Sequence, residues 1–252
     1  MNRQMVTRPG HWTSDLNLFW CIGLYASGST WLFNAGKKIA ASCGLGVGLA
    51  SAFAGTEADL TFPPDTVTAI VKTHELDDAA AALLTEYSRA IWLSVRDPRD
   101  CITSLMLYQQ CTFDESIEMT KDAAQFCLRI IDHPRTTLFR YEDNFFDAPA
   151  TLDVLASTFD CRLNAGDKAR IYDETRRSAV EALIKTFPDL PSVVGQPEPG
   201  HFVDLNTQWH THHAGRDGEV GRWRRMLSGE QIAVVHRVLG AEMVRLGYDP
   251  QG

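Results

Sequence analysis

The chain has 252 residues, 44% of them hydrophobic and 22% charged, with a formal net charge of −8. Such a chain can build one α/β domain with a sizeable core, and its ordinary composition is not that of a fibrous or disordered polypeptide. The acidic balance argues against broad nucleic-acid binding, which needs a basic face, yet a local phosphate site requires only a few cations and backbone donors.

Residues 1–19 mix Arg, His, Asp and Asn and lack the apolar run of a secretory signal. The weakly charged stretch 44–55 is too short and glycine-rich to span a bilayer. The expectation is a soluble, cytoplasmic protein with no transmembrane segment.

In chain order, residues 18–23 are an apolar run ending in a small-residue loop, which predicts a buried strand. Leu32, Ala35, Gly36 and Ile39 then recur at helical spacing. The glycine-rich Gly44-Leu45-Gly46-Val47-Gly48 follows a helix and not a strand, so it reads as a loop and not a dinucleotide fingerprint. Residues 67–73 and 91–95 are two more strand candidates. The second is broken by Arg96-Asp97-Pro98, where Asp97 can cap a helix and Pro98 suits its first position. Ile102, Leu105 and Met106 give that helix an apolar face. Residues 136–141 predict a strand, the proline-rich stretch 187–200 an irregular segment, and residues from about 228 to 246 a final helix. Alternating strands and helices predict one three-layer domain over 1–252, a central parallel sheet flanked by helices. The six cysteines are scattered with no C-x-x-C pair, so they are expected to be reduced and buried, not zinc ligands or a disulfide framework.

Three places carry chemistry. Gly23 to Gly28 has phosphate-loop spacing, followed by Ser29 and Thr30, but Ser29 stands where a nucleotide-binding lysine would be. Backbone amides of such a loop can still cradle a phosphate, although an ordinary strand-to-helix turn has the same spacing. Arg96 closes a predicted strand, with Ser104 eight residues on inside the next helix. An arginine at a strand's carboxyl end can fork a phosphate, and it can equally serve a salt-bridged helix start. Lys72 and His74, two apart, share one face of a strand end and supply a cation and a base. His210, His212 and His213 cluster without partners of recognisable ligand spacing, so an acceptor-loop or surface role is expected and no metal.

These motifs resemble, in order, those of the PAPS-dependent sulfotransferases, PAPS being 3′-phosphoadenosine 5′-phosphosulfate. Ser27, Gly28, Thr30 and Trp31 fall in register with the family's Y-P-K-S-G-T-T-W loop, with Ser29 within it and Ala26 at the family's lysine. The resemblance implies that Ser27, Gly28, Ser29 and Thr30 hold the 5′-phosphate and that Trp31 stacks on the adenine. Val95-Arg96-Asp97-Pro98-Arg99-Asp100 with Ser104 resembles the 3′-phosphate motif. Residues 216–224 resemble R-K-G-x-x-G-D-W-K, which implies that Arg216, Asp217 and Gly218 close over that phosphate. Tyr141-Glu142-Asp143 resembles a Y-E-D strand end that brings Tyr141 near the adenine, and Ser178 replaces a base-contacting threonine. Val71-Lys72-Thr73-His74 resembles the K-x-H motif, implying His74 as general base and Lys72 as transition-state stabiliser, with Glu75 the second candidate base. The likeness covers residues 19–225 and implies metal-independent transfer from PAPS, leaving the bisphosphate PAP, to a hydroxyl or amine of a small-molecule, sugar or lipid-linked acceptor. The alternatives are a P-loop kinase or NTPase, and a non-catalytic nucleotide-binding protein of the same fold. Acceptor-binding segments are expected in 49–65, 108–118 and 192–213. The oligomeric state is not readable from the sequence.

Overall fold

The apolar run near the N-terminus becomes strand β1 (Asn17–Gly23), and its alternation decides the layering. Leu18, Trp20 and Ile22 enter one core cluster, whereas Phe19 and Cys21 enter another, because successive strand side chains point to opposite faces. In this computed structural model, residues 9–10, 12–196, 200–214 and 218–250 are described.

After β1 come α1 (Ser29–Ala40), β2 (Leu49–Phe53), β3 (Thr68–Thr73), α2 (Asp78–Tyr87), β4 (Ser88–Val95), α3 (Pro98–Tyr108), α4 (Phe113–Ile130) and β5 (Thr136–Arg140). The remaining elements are α5 (Ala150–Thr158), α6 (Ala165–Thr175), α7 (Arg177–Lys185), β6 (Val193–Gly195), β7 (Phe202–Asp204), α8 (Trp223–Met226) and α9 (Gly229–Leu246). The first five strands form one parallel sheet in the order β2-β3-β1-β4-β5. Helices α1, α5, α6 and α7 pack on the face that buries Phe19, Ile70 and Trp92. Helices α2 and α4 cover the opposite face, and α9 joins α3, α4 and α8 in a third cluster. The expected three-layer α/β architecture is the observed one.

Two local choices set how the layers meet. Gly36 lies on the buried side of α1, and a Cβ there would fall 2.3 Å from the Trp92 ring, so only glycine lets helix and sheet approach this closely. At α3, Asp97 accepts from the Arg99 amide at 2.9 Å and Pro98 takes the first turn, as the sequence pattern anticipates. The final helix starts at a Ser228–Gln231 capping box and stops at Gly247, in the left-handed conformation that glycine tolerates.

The structure departs from the sequence expectation in three places. Strand β2 was not anticipated, because Leu49-Ala50-Ser51-Ala52-Phe53 lies at the sheet edge and lacks the continuous apolar run of a buried strand. Part of the proline-rich stretch is ordered: Val193–Gly195 pairs antiparallel with Phe202–Asp204. Most consequentially, Cys43 and Cys161 form a disulfide, against the expectation of six reduced thiols. They lie 118 residues apart, so no local spacing announces the pair, and it is the packing of α1 and α5 on the same sheet face that brings them together. Cys21, Cys101, Cys111 and Cys127 keep their thiols, and Cys111 alone of these is not fully buried.

Closing a loop of that length restricts the unfolded chain by up to about 4–5 kcal/mol in the chain-entropy description. At about 2–4 °C per kcal/mol for a domain of this size, reduction should lower Tm by roughly 10 °C. Thermal melts with and without reductant check this, with the Cys43→Ser/Cys161→Ser variant expected to behave as the reduced protein in both.

Candidate active site

Parallel strands deliver their carboxyl ends to one edge of the sheet, and the chemistry-bearing residues stand there. Gly23 ends β1, His74 follows β3, Arg96 follows β4 and Tyr141 follows β5. The connection after β1 goes to one face and those after β3 and β4 go to the other, which opens a crevice between them. A cavity of about 350 Å³ occupies this position.

The loop between β1 and α1 is built to leave donors facing outward. Ser27 is buried, donating from Oγ to the Leu24 carbonyl at 2.6 Å and touching Ser94 Oγ at 2.8 Å. It therefore shapes the loop and does not line the cavity. Gly28 sits at φ 90°, where a Cβ would also meet the Phe145 ring at 2.8 Å. Helix α1 has no side-chain cap and no acidic residue in its first turn. The Trp31 amide donates to the Gly28 carbonyl at 3.0 Å, which leaves the Ser29 and Thr30 amides without intrahelical acceptors. The positive end of the helix dipole faces the cavity at Ser29, Thr30 and Trp31.

Arg96 is 3% exposed and ties two loops together. It donates to the Ala26 carbonyl at 3.1 Å and to the Glu219 carbonyl at 2.7 Å, and it lies over the Tyr141 ring at 4.1 Å. Its Nε is buried with no hydrogen-bond partner, while the side chain as a whole lines the cavity. Ser104 lines the same cavity one helix further on. Asp100, fully buried, accepts from the amides of Gly221 at 2.7 Å and Trp223 at 3.1 Å, so the start of α3 anchors the third glycine-rich loop. Burial raises the Asp100 pKa, and those two amides with Arg96 work against the rise.

Lys72 and His74 face each other across 3.3 Å, Nζ to Nε2. A carbonyl can only accept, so the 2.7 Å contact from His74 Nδ1 to Gly23 places the proton on Nδ1 and leaves Nε2 as an acceptor, directed at the Lys72 ammonium. Tyr25 stacks on the imidazole at 4.3 Å, which fixes its plane. Burial, then the neighbouring Lys72 charge, lowers the His74 pKa to about 3. Burial lowers Lys72 to about 8. The pair is therefore a neutral imidazole beside an ammonium at neutral pH. Glu75 is exposed and does not line the cavity.

No protein-family model and no curated protein matches the sequence, but solved structures match the fold. The chain superimposes on mouse sulfotransferase SULT7A1 complexed with PAP at a TM-score of 0.61 and 14% identity, covering 91% of this chain and 84% of that one. It matches retinol dehydratase in a complex with retinol and PAP at a TM-score of 0.60 and 13% identity, covering 92% and 82%. The same enzyme with androsterone and PAP matches at 0.57 and 14%, covering 90% and 80%. This chain has the sulfotransferase fold.

Within that fold, one cavity collects Gly28, Ser29, Thr30, Trp31, Lys72, His74, Arg96, Ser104, Tyr141 and Gly218 from segments up to 190 residues apart. Arg216 and Asp217 lie outside the described residues. Ser178 is exposed on the first turn of α7 and does not line the cavity; Thr175, Arg177 and Val180 do. Sequence reasoning also passed over Arg222, which is buried, lines the cavity and donates to the Tyr108 hydroxyl at 3.3 Å. Its only sequence signal was its place in the Gly221-Arg222-Trp223 run, where the resembling motif has an aspartate. Of the anticipated acceptor segments, Tyr108, Gln109, Trp209, His210, His212 and His213 line the cavity. None of 49–65 lines it, although the Phe53 ring lies 5.0 Å from Lys72 Nζ.

Proposed function

We propose that this protein is a sulfotransferase that moves a sulfuryl group from PAPS to a hydroxyl or amine of a small-molecule acceptor. The observation that carries this reading is a pair of separate anion-receptive features facing one cavity. One is the uncapped N-terminus of α1; the other is the Arg96 guanidinium, which lines the cavity with Ser104. A nucleotide phosphorylated at both 5′ and 3′ positions needs both, whereas a nucleoside triphosphate needs only the first. When bound, PAPS supplies the sulfuryl group and carries the bisphosphate that leaves.

The roles of the chain's own residues follow from their surroundings. Ser29 and Thr30 present first-turn amides to the 5′ end. Arg96 and Ser104 face the 3′-phosphate, and Trp31 and Tyr141 border the base. His74 Nε2 takes the proton of the acceptor group once Lys72 Nζ turns from it toward the departing phosphate, because its Nδ1–H is committed to Gly23. Lys72 stabilises the negative charge that grows on the departing phosphate, a task it carries more fully because Ala26 stands where the family has a lysine. The acceptor end, bordered by Tyr25, Tyr108 and Trp209, is aromatic and suits a flat or apolar acceptor carrying the reacting hydroxyl.

Calorimetry tests the donor. Adenosine 3′,5′-bisphosphate is expected to bind without magnesium and ATP poorly; preference for ATP with magnesium would return the protein to the kinase-like alternative.

The pH profile tests the catalytic pair. Below about 3 His74 gains a proton and ceases to be a base; above about 8 Lys72 loses its proton and its charge. The kcat/KM of sulfate transfer, which reports the free enzyme, should therefore be level through neutrality and fall tenfold per pH unit above about 8. Lys72→Arg, charged throughout, should lose that alkaline limb. An activity rise centred near the ordinary histidine value of about 6.5 would contradict the neutral buried imidazole.

Among the described residues no helix is long and apolar enough to cross a membrane. Disulfides are rare in reducing compartments. If the protein resides in the cytoplasm as its sequence suggests, Cys43 and Cys161 would be held there as free thiols and the protein would work at its lower stability.

A further inference from the structure

Four imidazoles share one wall of the molecule. His201 lies just before β7 and His210 just after it, and the bridge between Val203 and His210 folds the two back to back. His201 Nε2 and His210 Nδ1 are 2.7 Å apart. The His212 ring centroid lies 4.8 Å from that of His201 and 5.2 Å from that of His210. Tyr108 stacks on His212 from the other side at 5.8 Å. His213 is committed differently: its Nδ1 accepts from the His210 amide at 3.0 Å and its ring stands edge-on to Trp209.

The ring nitrogens that His201, His210 and His212 offer all lie within 4.8 Å of one another, and no carboxylate or thiol belongs to the set. Nitrogens bonded to one zinc ion at about 2.0–2.1 Å stand about 3.3 Å apart in a tetrahedron, so small ring rotations bring the three onto one centre. A shared proton accounts for the His201–His210 contact but not for His212, whose Nδ1 is buried without a hydrogen-bond partner. A purely imidazole donor set suits zinc, cobalt, nickel or copper and not magnesium or calcium, which take oxygen. Three ligands also leave a coordination position open. His210 and His212 line the cavity that holds Lys72 and His74, and His201 with His212 lines a smaller adjoining one of about 230 Å³.

We propose that His201, His210 and His212 bind one divalent transition-metal ion, with an open coordination position toward the cavity. This reverses the expectation, drawn from sequence spacing alone, that the histidine cluster binds no metal. Spacing missed it because His201 comes from the opposite strand of a small hairpin. An ion there can take an oxygen or nitrogen of a ligand entering the acceptor end.

The experiment uses the full-length, tag-free protein, stripped with chelator and without nucleotide, which would itself bind metal. Co²⁺ titration should give visible bands of a four- or five-coordinate site saturating at one equivalent. His201→Ala and His212→Ala should each weaken Co²⁺ binding by about a hundredfold, as loss of a ligand does at least as strongly as loss of its support, while His133→Ala should not. Equal affinity in the wild type and both ligand variants overturns the proposal. Should the variants fail to fold, Cu²⁺ electron paramagnetic resonance of the wild type decides: coupling to three imidazole nitrogens supports the site, and coupling to fewer sinks it. Neither readout depends on bisphosphate affinity or sulfate transfer, so the metal site and the sulfotransferase reading fail separately.

Discussion

His74→Ala is expected to lower sulfate transfer by about 10²–10⁴-fold, the usual contribution of a positioned general base, while leaving adenosine 3′,5′-bisphosphate affinity little changed. The split follows from position. His74 lines the cavity beside Lys72, whereas the two features that face the nucleotide's phosphates come from α1 and Arg96. Alanine also removes the bond to Gly23 and the stack on Tyr25, so a second variant is needed to separate chemistry from packing. His74→Asn keeps a side-chain donor for the Gly23 carbonyl but has no basic nitrogen. It should be as inactive as the alanine variant and closer to wild type in stability. Transfer from labelled PAPS, measured beside calorimetric bisphosphate binding, checks both. Unchanged turnover in either variant would move the base elsewhere, with Glu75 the next candidate despite its exposure.

Arg96→Ala should weaken bisphosphate binding by a hundredfold or more, since truncating a buried, hydrogen-bonded charge partner costs about 2–5 kcal/mol. Arg96 has a structural task as well, because its removal strands the Ala26 and Glu219 carbonyls. Ala26 is exposed and Glu219 half-buried, so water can replace the lost donor and the stability loss should stay below the about 1–3 kcal/mol of a buried unsatisfied group. The two effects separate by ligand. If Arg96 meets the 3′-phosphate, the loss should be large for adenosine 3′,5′-bisphosphate and slight for adenosine 5′-phosphate. An equal loss for both would mean that Arg96 merely holds the loops. Arg96→Lys should fall between, keeping the charge but not the planar fork.

The departures from the sulfotransferase motifs are connected in space. Ala26 removes a cation from the phosphate loop, and its left-handed backbone turns its carbonyl toward Arg96. Arg222 places a cation on the cavity wall at a position where the motif has an aspartate. The cavity thus retains Lys72, Arg96, Arg177 and Arg222. Loss of the loop lysine does not leave it short of positive charge.

Features set by local spacing were legible in the sequence. The apolar run of β1, the Asp97-Pro98 start of α3, the Ser228 capping box and the strict two-residue offset of Lys72 and His74 depend on residues within one element, where periodicity and capping act. The ordered motifs, through their resemblance, also pointed to the strand ends that now face one cavity. Ser27 shows the limit of such reading: its position in the loop was plain, but only the fold shows its hydroxyl turned inward to Leu24 and Ser94. What tertiary structure alone decided joins residues far apart in the chain. The Cys43–Cys161 bond spans 118 positions, Asp100 holds the amides of Gly221 and Trp223, and His201 meets His210 and His212 across a hairpin. None of these has a periodicity to announce it, because each contact exists only once the sheet has ordered its strands and the helices have packed on both faces.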